Sequence, residues 1–134
     1  MSTFRLVGPV PREHPLQRTI AKVLALELAP AGRLSPKGVC WFAIEHANYA
    51  GSVPERAGRG VVAGIPDTFV LHRGKAHFIE VKADDGELRE TQQEMAAAIL
   101  GAGGRVGVAR DAAEVLQCLD EWQIPRHGRV KGLV

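Results

Sequence analysis

The sequence predicts an α/β fold in which a mixed sheet is flanked by helices. Apolar side chains recur at helical spacing near the start of the chain, as Leu16, Ile20, Val23, Leu24 and Leu28. Two short apolar runs, TFVL (68–71) and AHFI (76–79), follow and are joined by the turn-like HRGK. Beyond them a helical, a strand-like and a second helical pattern alternate, so the order reads α-β-β-β-α-β-α, a layered α/β sandwich.

Each element has its own local reason. Residues 1–12 are broken by Gly8, Pro9 and Pro11 and read as an extended arm. HPLQRTIAKVLALELA (14–29) is the first helix, with Pro15 in its first turn, where the missing N–H costs nothing. PAGRLSPKG ends that helix in a loop, and GVCWFAIEHA (38–47), short, apolar and aromatic, is a strand. Residues 48–64, NYAGSVPERAGRGVVAG, are glycine-rich and read as a flexible loop. After the hairpin, ADDGE is a turn in which Asp84 and Asp85 are turn formers. LRETQQEMAAAILGAG (88–103) is an alanine-rich helix stopped by Gly101 and Gly103, and GRVGVAR (104–110) is a strand. DAAEVLQCLDEW (111–122) is a helix with Asp111 as N-cap and Glu114 three residues on, the outline of a capping box. The chain then runs out in a basic tail broken by Gly and Pro.

With 134 residues the chain has the length of one domain: a core of about 13–121, the arm before it and the tail 122–134 after it. Hydrophobic residues make up 46% and charged residues 24%, which argues against disorder. The net charge of +2 permits an anionic partner without demanding one. No apolar stretch approaches the roughly 20 residues needed to cross a bilayer, and no export signal opens the chain. Cys40 and Cys118 stand alone in apolar runs and read as free buried thiols, consistent with a cytoplasmic protein.

The chemistry gathers in the hairpin. Side chains alternate along a strand, so Glu80 and Lys82 share one face while Val81 points into the core. Asp67, at the start of one strand, lies opposite the end of the next, so the two carboxylates close in space and can share a cation. A hard divalent ion takes oxygen ligands, commonly one or two carboxylates with water and phosphate. Such an ion polarises a phosphodiester and acidifies bound water. Lys82 would orient that water or neutralise charge building on the phosphate. Alone, Pro-Asp is a common turn and Glu-x-Lys a common solvated strand end; the spacing on one hairpin makes the set specific.

Gly60-Val-Val-Ala-Gly-Ile-Pro-Asp67 followed by Glu80-Val-Lys82 resembles the PD-(D/E)xK nuclease superfamily, and within it the VRR-NUC branch of small stand-alone phage and bacterial nucleases. The similarity extends over Glu13-His-Pro-Leu-Gln17, Asn48-Tyr-Ala-Gly51, Gln92 and Gly104-Arg-Val-Gly-Val108, from about Glu13 to Val115. The resemblance implies a restriction-endonuclease-like α-β-β-β-α-β core and a DNA endonuclease dependent on Mg²⁺ or Mn²⁺. It implies that Asp67, Glu80 and the backbone carbonyl of Val81 bind metal, that Lys82 serves the water, and that Gln92 supports the site or touches a phosphate. Glu13 would be an additional acid, with Glu45 as its alternative. Small members of the branch act as homodimers on branched DNA such as Holliday junctions, which sets that expectation here. A general or restriction-type double-strand endonuclease, and a non-catalytic DNA-binding protein keeping the fold, remain as alternatives.

Arg56 and Arg59 in the glycine-rich loop, and Arg126, Arg129 and Lys131 in the tail, are the cations expected to contact a DNA backbone. His72 and His77 bracket the hairpin connection and read as polar turn residues. Cys40 and His46 lack zinc-ligand spacing and companions. Trp41 and Trp122 read as core or interface aromatics.

Overall fold

A four-stranded mixed sheet with the order β1-β2-β3-β4 organises the computed structural model, which describes residues 13–44 and 53–130. The elements are α1 (Glu13–Glu27), β1 (Val39–Ala43), α2 (Val53–Gly58), β2 (Thr68–His72), β3 (Lys75–Val81), α3 (Glu90–Gly101), β4 (Arg105–Ala109) and α4 (Ala112–Glu121). β1, β2 and β3 form an antiparallel meander. β4 runs parallel to β3, so α3 is the crossover that a parallel pair requires. α2 is a correction: the glycine-rich stretch expected to be loop throughout contains this six-residue helix. Pro54 in its first turn suits a helix start, and Gly58 closes it. The N-terminal arm, residues 45–52 with Glu45 and the Asn48–Gly51 motif, and Lys131 lie outside the described residues.

The β2–β3 turn is set by backbone chirality. Arg73 and Gly74 both adopt positive φ, 52° and 75°, the left-handed pair of a two-residue hairpin turn whose twist matches the flanking strands. His72 therefore faces Lys75, and the register runs on through Val70 with His77 and Thr68 with Ile79. That register assigns every side chain to a face. One face carries Val39, Trp41, Val70, Ile79, Val81 and Ala109, and it packs against Ile20, Leu24 and Leu28 of the α1 region and Val115 and Leu119 of α4. Fully burying each of the Val, Leu and Ile side chains here contributes about 2 kcal/mol, so this layer is the main source of stability. Asp111 caps α4 as the sequence suggests, accepting from the Glu114 N–H at 2.8 Å. The Glu114 carboxylate reaches one residue further back, to the Arg110 N–H at 2.6 Å.

His77 is a second correction. It lies on the core face and is 2% exposed, its Nδ1 3.1 Å from the Val70 carbonyl and its ring against Trp122 at 5.1 Å between centroids. Trp41 is buried as well, donating its indole N–H to the Ala29 carbonyl at 2.6 Å. The two cysteines are free, and burial pushes the Cys118 thiol up to about 11.

Residues 124–130 form a strap across α1. Glu27, on that helix, has no exposed surface. Its carboxylate accepts from the N–H groups of Gly128 and Val130, both at 2.6 Å, and from Arg126 Nη1 at 3.2 Å. Burial by itself would raise the Glu27 pKa, but the Val130 and Gly128 N–H groups and the Arg126 guanidinium together hold it below the ordinary carboxylate value. Arg126 is further held by Asp120 through two bonds of 2.8 and 3.1 Å. The tail is thus a docked segment through Val130 rather than a free basic arm.

Glu27→Ala leaves two backbone donors and a guanidinium without their acceptor, and is expected to cost about 3 kcal/mol, read as a lower urea midpoint at unchanged slope. His77 supplies the pH dependence. Burial lowers its pKa below the usual 6.5, the Val70 bond opposes that shift, and Lys75, His72 and Arg105 reinforce it. The native state therefore binds fewer protons than the unfolded chain just below that value, so stability is full above it and falls as the pH drops through it. Urea midpoints between pH 7.5 and 5.5 should show this fall, and His77→Gln should flatten it.

Candidate functional site

The second face of the sheet carries the acidic and basic residues singled out in the sequence. Asp67 immediately precedes β2, and its carbonyl still accepts from the Ile44 N–H at 2.8 Å, so it is held as part of the β1–β2 ladder. Its Oδ2 accepts from the Val81 N–H at 2.8 Å, across 14 positions of sequence. The Asp67 carboxylate therefore sits at the end of β3, against the peptide that links Glu80 to Val81.

Alternation along β3 puts Glu80 and Lys82 on this face and Val81 in the core, where it is 1% exposed. Glu80 and Lys82 are themselves 4% and 6% exposed, so both charges are buried rather than solvated at a strand end. Gln92, the one buried residue of α3, donates from Nε2 to Glu80 Oε1 at 3.1 Å. Its amide orientation is set by its other end, where Oε1 accepts from the Arg89 N–H at 2.8 Å and forces the NH₂ toward the carboxylate. The Lys82 N–H continues the β3–β4 ladder to the Ala109 carbonyl at 3.1 Å. Arg110, just past β4, donates from Nη2 to the Gly86 carbonyl at 2.8 Å and so ties down the turn that follows Lys82.

Gly64 seats the loop that leads to Asp67. Its φ is +87°, and a Cβ there would lie 2.6 Å from the carbonyl carbon of Thr91 and 3.0 Å from the backbone nitrogen of Gln92. The loop backbone thus rests directly on the start of α3, the turn that carries Gln92. Asp67, Glu80 and Gln92 come from three separate segments held by these contacts.

Among the described residues, oxygen is the only ligand type the site offers. Asp67 supplies a carboxylate at the Glu80–Val81 peptide and Glu80 supplies a second from the adjoining residue of β3. Among the described residues no group of three or more His, Cys, Asp or Glu gathers around one point. The set suits a hard divalent ion of the Mg²⁺ type, which takes one or two carboxylates and completes its shell with water and phosphate. It does not suit zinc, which prefers nitrogen and sulfur.

The remaining predicted residues are placed as follows. Glu13 is the first residue of α1, and its side chain lies outside the description, as does that of Arg56 on α2. Arg59 is exposed just beyond α2, and Arg129 is exposed on the strap. Arg126 is engaged by Glu27 and Asp120 and serves the strap rather than this face. Sequence reasoning missed Arg110, Arg89 as the partner of Gln92, and the role of Gly64. Only Gly64 had a local signal, its place in the Gly60-Val-Val-Ala-Gly-Ile-Pro-Asp67 motif, which did not disclose its packing on α3. No helix among the described residues is long and apolar enough to cross a membrane.

Comparisons with protein-family models, with curated proteins and with solved structures returned no match. The site is accordingly read from its own geometry.

Gly64→Ala should lower stability by about 2 kcal/mol, since a side chain at this φ is strained and the added methyl meets the Thr91 backbone. Amide hydrogen exchange should speed up at Thr91 and Gln92 in the same variant. Unchanged exchange there would show that the loop does not rest on α3.

Proposed function

We propose that this chain is a metal-dependent DNA endonuclease that hydrolyses phosphodiester bonds. One observation carries the reading: the Asp67 carboxylate meets the Glu80–Val81 peptide at the exit of the hairpin, with Lys82 on the same face as Glu80. The fold supports it at a coarser level. An antiparallel meander joined through α3 to a parallel fourth strand is compatible with the restriction-endonuclease-like core that the PD-(D/E)xK resemblance implies.

In this reading Asp67, Glu80 and the Val81 carbonyl hold Mg²⁺ or Mn²⁺, which when bound polarises the phosphodiester and acidifies the attacking water. Gln92 fixes the rotamer of Glu80, and the Val81 N–H fixes that of Asp67, so both carboxylates are oriented before any ligand arrives. Lys82 brings a buried positive charge two residues from Glu80, where it orients the water or offsets charge on the phosphate in the transition state. Burial strengthens that interaction relative to water. Arg56 and Arg59 precede the loop that delivers Asp67 and would meet the DNA backbone. Branched DNA such as a Holliday junction is the proposed substrate class and a homodimer the proposed assembly. Two symmetric copies would present one site to each of two strands.

Asp67→Asn keeps an acceptor for the Val81 N–H and removes the charge, so it should stay folded while cleavage falls at least 100-fold. Lys82→Ala should do the same. Labelled linear, flapped and four-way DNA, incubated with and without Mg²⁺ or Mn²⁺, provides the assay. Full cleavage by either folded variant, or undiminished cleavage in excess EDTA, would remove the mechanism.

A further inference from the structure

Lys82 is 6% exposed, and among the described residues no hydrogen bond or ion pair holds its ammonium. A lysine has a flexible four-carbon stem with about 2 kcal/mol of rotamer entropy, so its aim depends on what packs along that stem. The Lys82 N–H donates to the Ala109 carbonyl at 3.1 Å, which fixes the backbone at the root of the side chain. Beyond it the chain turns through Ala83, Asp84, Asp85 and Gly86. The Gly86 N–H closes the turn on the Ala83 carbonyl at 2.9 Å, with Asp84 at a left-handed φ of 48°. This turn brings Gly86 back alongside the lysine. A Cβ built on Gly86 would lie 3.7 Å from Lys82 Cδ and 3.8 Å from Lys82 Cβ.

An arginine from outside the turn pins it. Arg110 donates from Nη2 to the Gly86 carbonyl at 2.8 Å, across 24 positions of sequence. Its own main chain is anchored at the start of α4, where its N–H donates to Glu114 Oε1 at 2.6 Å. Glu114 is held in turn by the Asp111 cap. Val81 and Ala109 are register partners, so Lys82 and Arg110 are each the next residue past the same rung of the β3–β4 pair. The contacts run in sequence from the start of α4 to the Arg110 guanidinium, the Gly86 carbonyl and the Lys82 stem. A guanidinium suits this place because it stays charged, and a charge-assisted bond is stronger than a neutral one.

Resting on the nuclease reading, we propose that Arg110 is a positioning residue for Lys82. By holding Gly86 alongside the lysine stem, it aims the ammonium at the face that Lys82 shares with Glu80. Without that bond the turn loosens and the stem gains rotamers, so the ammonium is misplaced for the water or phosphate it serves. The loss falls on the chemical step rather than on DNA binding, because Lys82 acts in the transition state.

The test compares Arg110→Met, which keeps the apolar stem and removes the donor, with Arg110→Lys, which keeps a donor for the Gly86 carbonyl. Arg110→Gln, too short for that carbonyl, takes the place of Arg110→Met if the methionine variant does not fold. The first readout is NMR relaxation of isotope-labelled lysine side chains, with the Lys82 signal assigned by its loss in Lys82→Ala. Lys82 should be more ordered than the exposed Lys22 and Lys75 in the wild type, as mobile as they are in Arg110→Met, and ordered again in Arg110→Lys. The second readout sets single-turnover cleavage against DNA affinity measured in EDTA. Cleavage by Arg110→Met should fall on the order of 10- to 100-fold, as for a group misplaced by about 1 Å, with affinity little changed. Unchanged Lys82 order in Arg110→Met overturns the proposal. So does a loss of cleavage matched by an equal loss of affinity, which makes Arg110 a DNA contact. A wild type that cuts no DNA removes the nuclease reading alone, since the order of Lys82 still reports on the bond from Arg110.

Discussion

Where the backbone ladder between β2 and β3 gives out, a carboxylate oxygen of Asp67 accepts the Val81 N–H that a carbonyl would otherwise take. β3 needs this bond because Val81 is buried, and a buried N–H left unmatched costs about 1–3 kcal/mol. The same bond places a carboxylate beside Glu80. With Val81 held in the core, alternation returns Lys82 to the face of Glu80. One satisfied backbone donor thus joins the packing of the sheet to the grouping of the charges.

The sheet separates two buried carboxylates with different settings. Glu27, by way of α1, is enclosed by two backbone N–H groups and a guanidinium from the strap, and its contacts hold the end of the chain in place. Glu80, on the other face, has a side-chain amide as its named partner, and that amide is itself oriented by the backbone. The first arrangement closes the fold. The second leaves a carboxylate next to Asp67, at the end of the sheet where the loop after α2, the start of α3 and the turn after Lys82 converge. An acidic residue in an apolar helix and one in an apolar strand look alike in one dimension; their partners distinguish them.

Much of the architecture was legible because it is local. The apolar stripe of α1, the Arg73–Gly74 turn and the Asp111 cap each follow from spacing or backbone chirality over a few residues. α2 was not legible, because the glycines around it outweighed a six-residue helix whose own propensity is modest. His77 looked like a turn residue from its position near the hairpin connection, yet alternation along β3 sends it inward with Ile79. Arg126 looked like a DNA-facing cation, and its Glu27 partner lies 99 positions away, beyond any local pattern.

By itself the sequence determined the facing of Glu80, Val81 and Lys82, the hairpin that brings Asp67 back toward them, and the order of helices and strands. These depend on the two-residue period of a strand and on the few conformations a short turn allows. Tertiary structure alone decided that Asp67 bonds the Val81 N–H, that Gln92 reaches Glu80, that Gly64 rests on α3 and that Arg126 closes the strap. Each of those contacts joins segments far apart in the chain, and their meeting depends on how the layers pack rather than on any neighbouring residue.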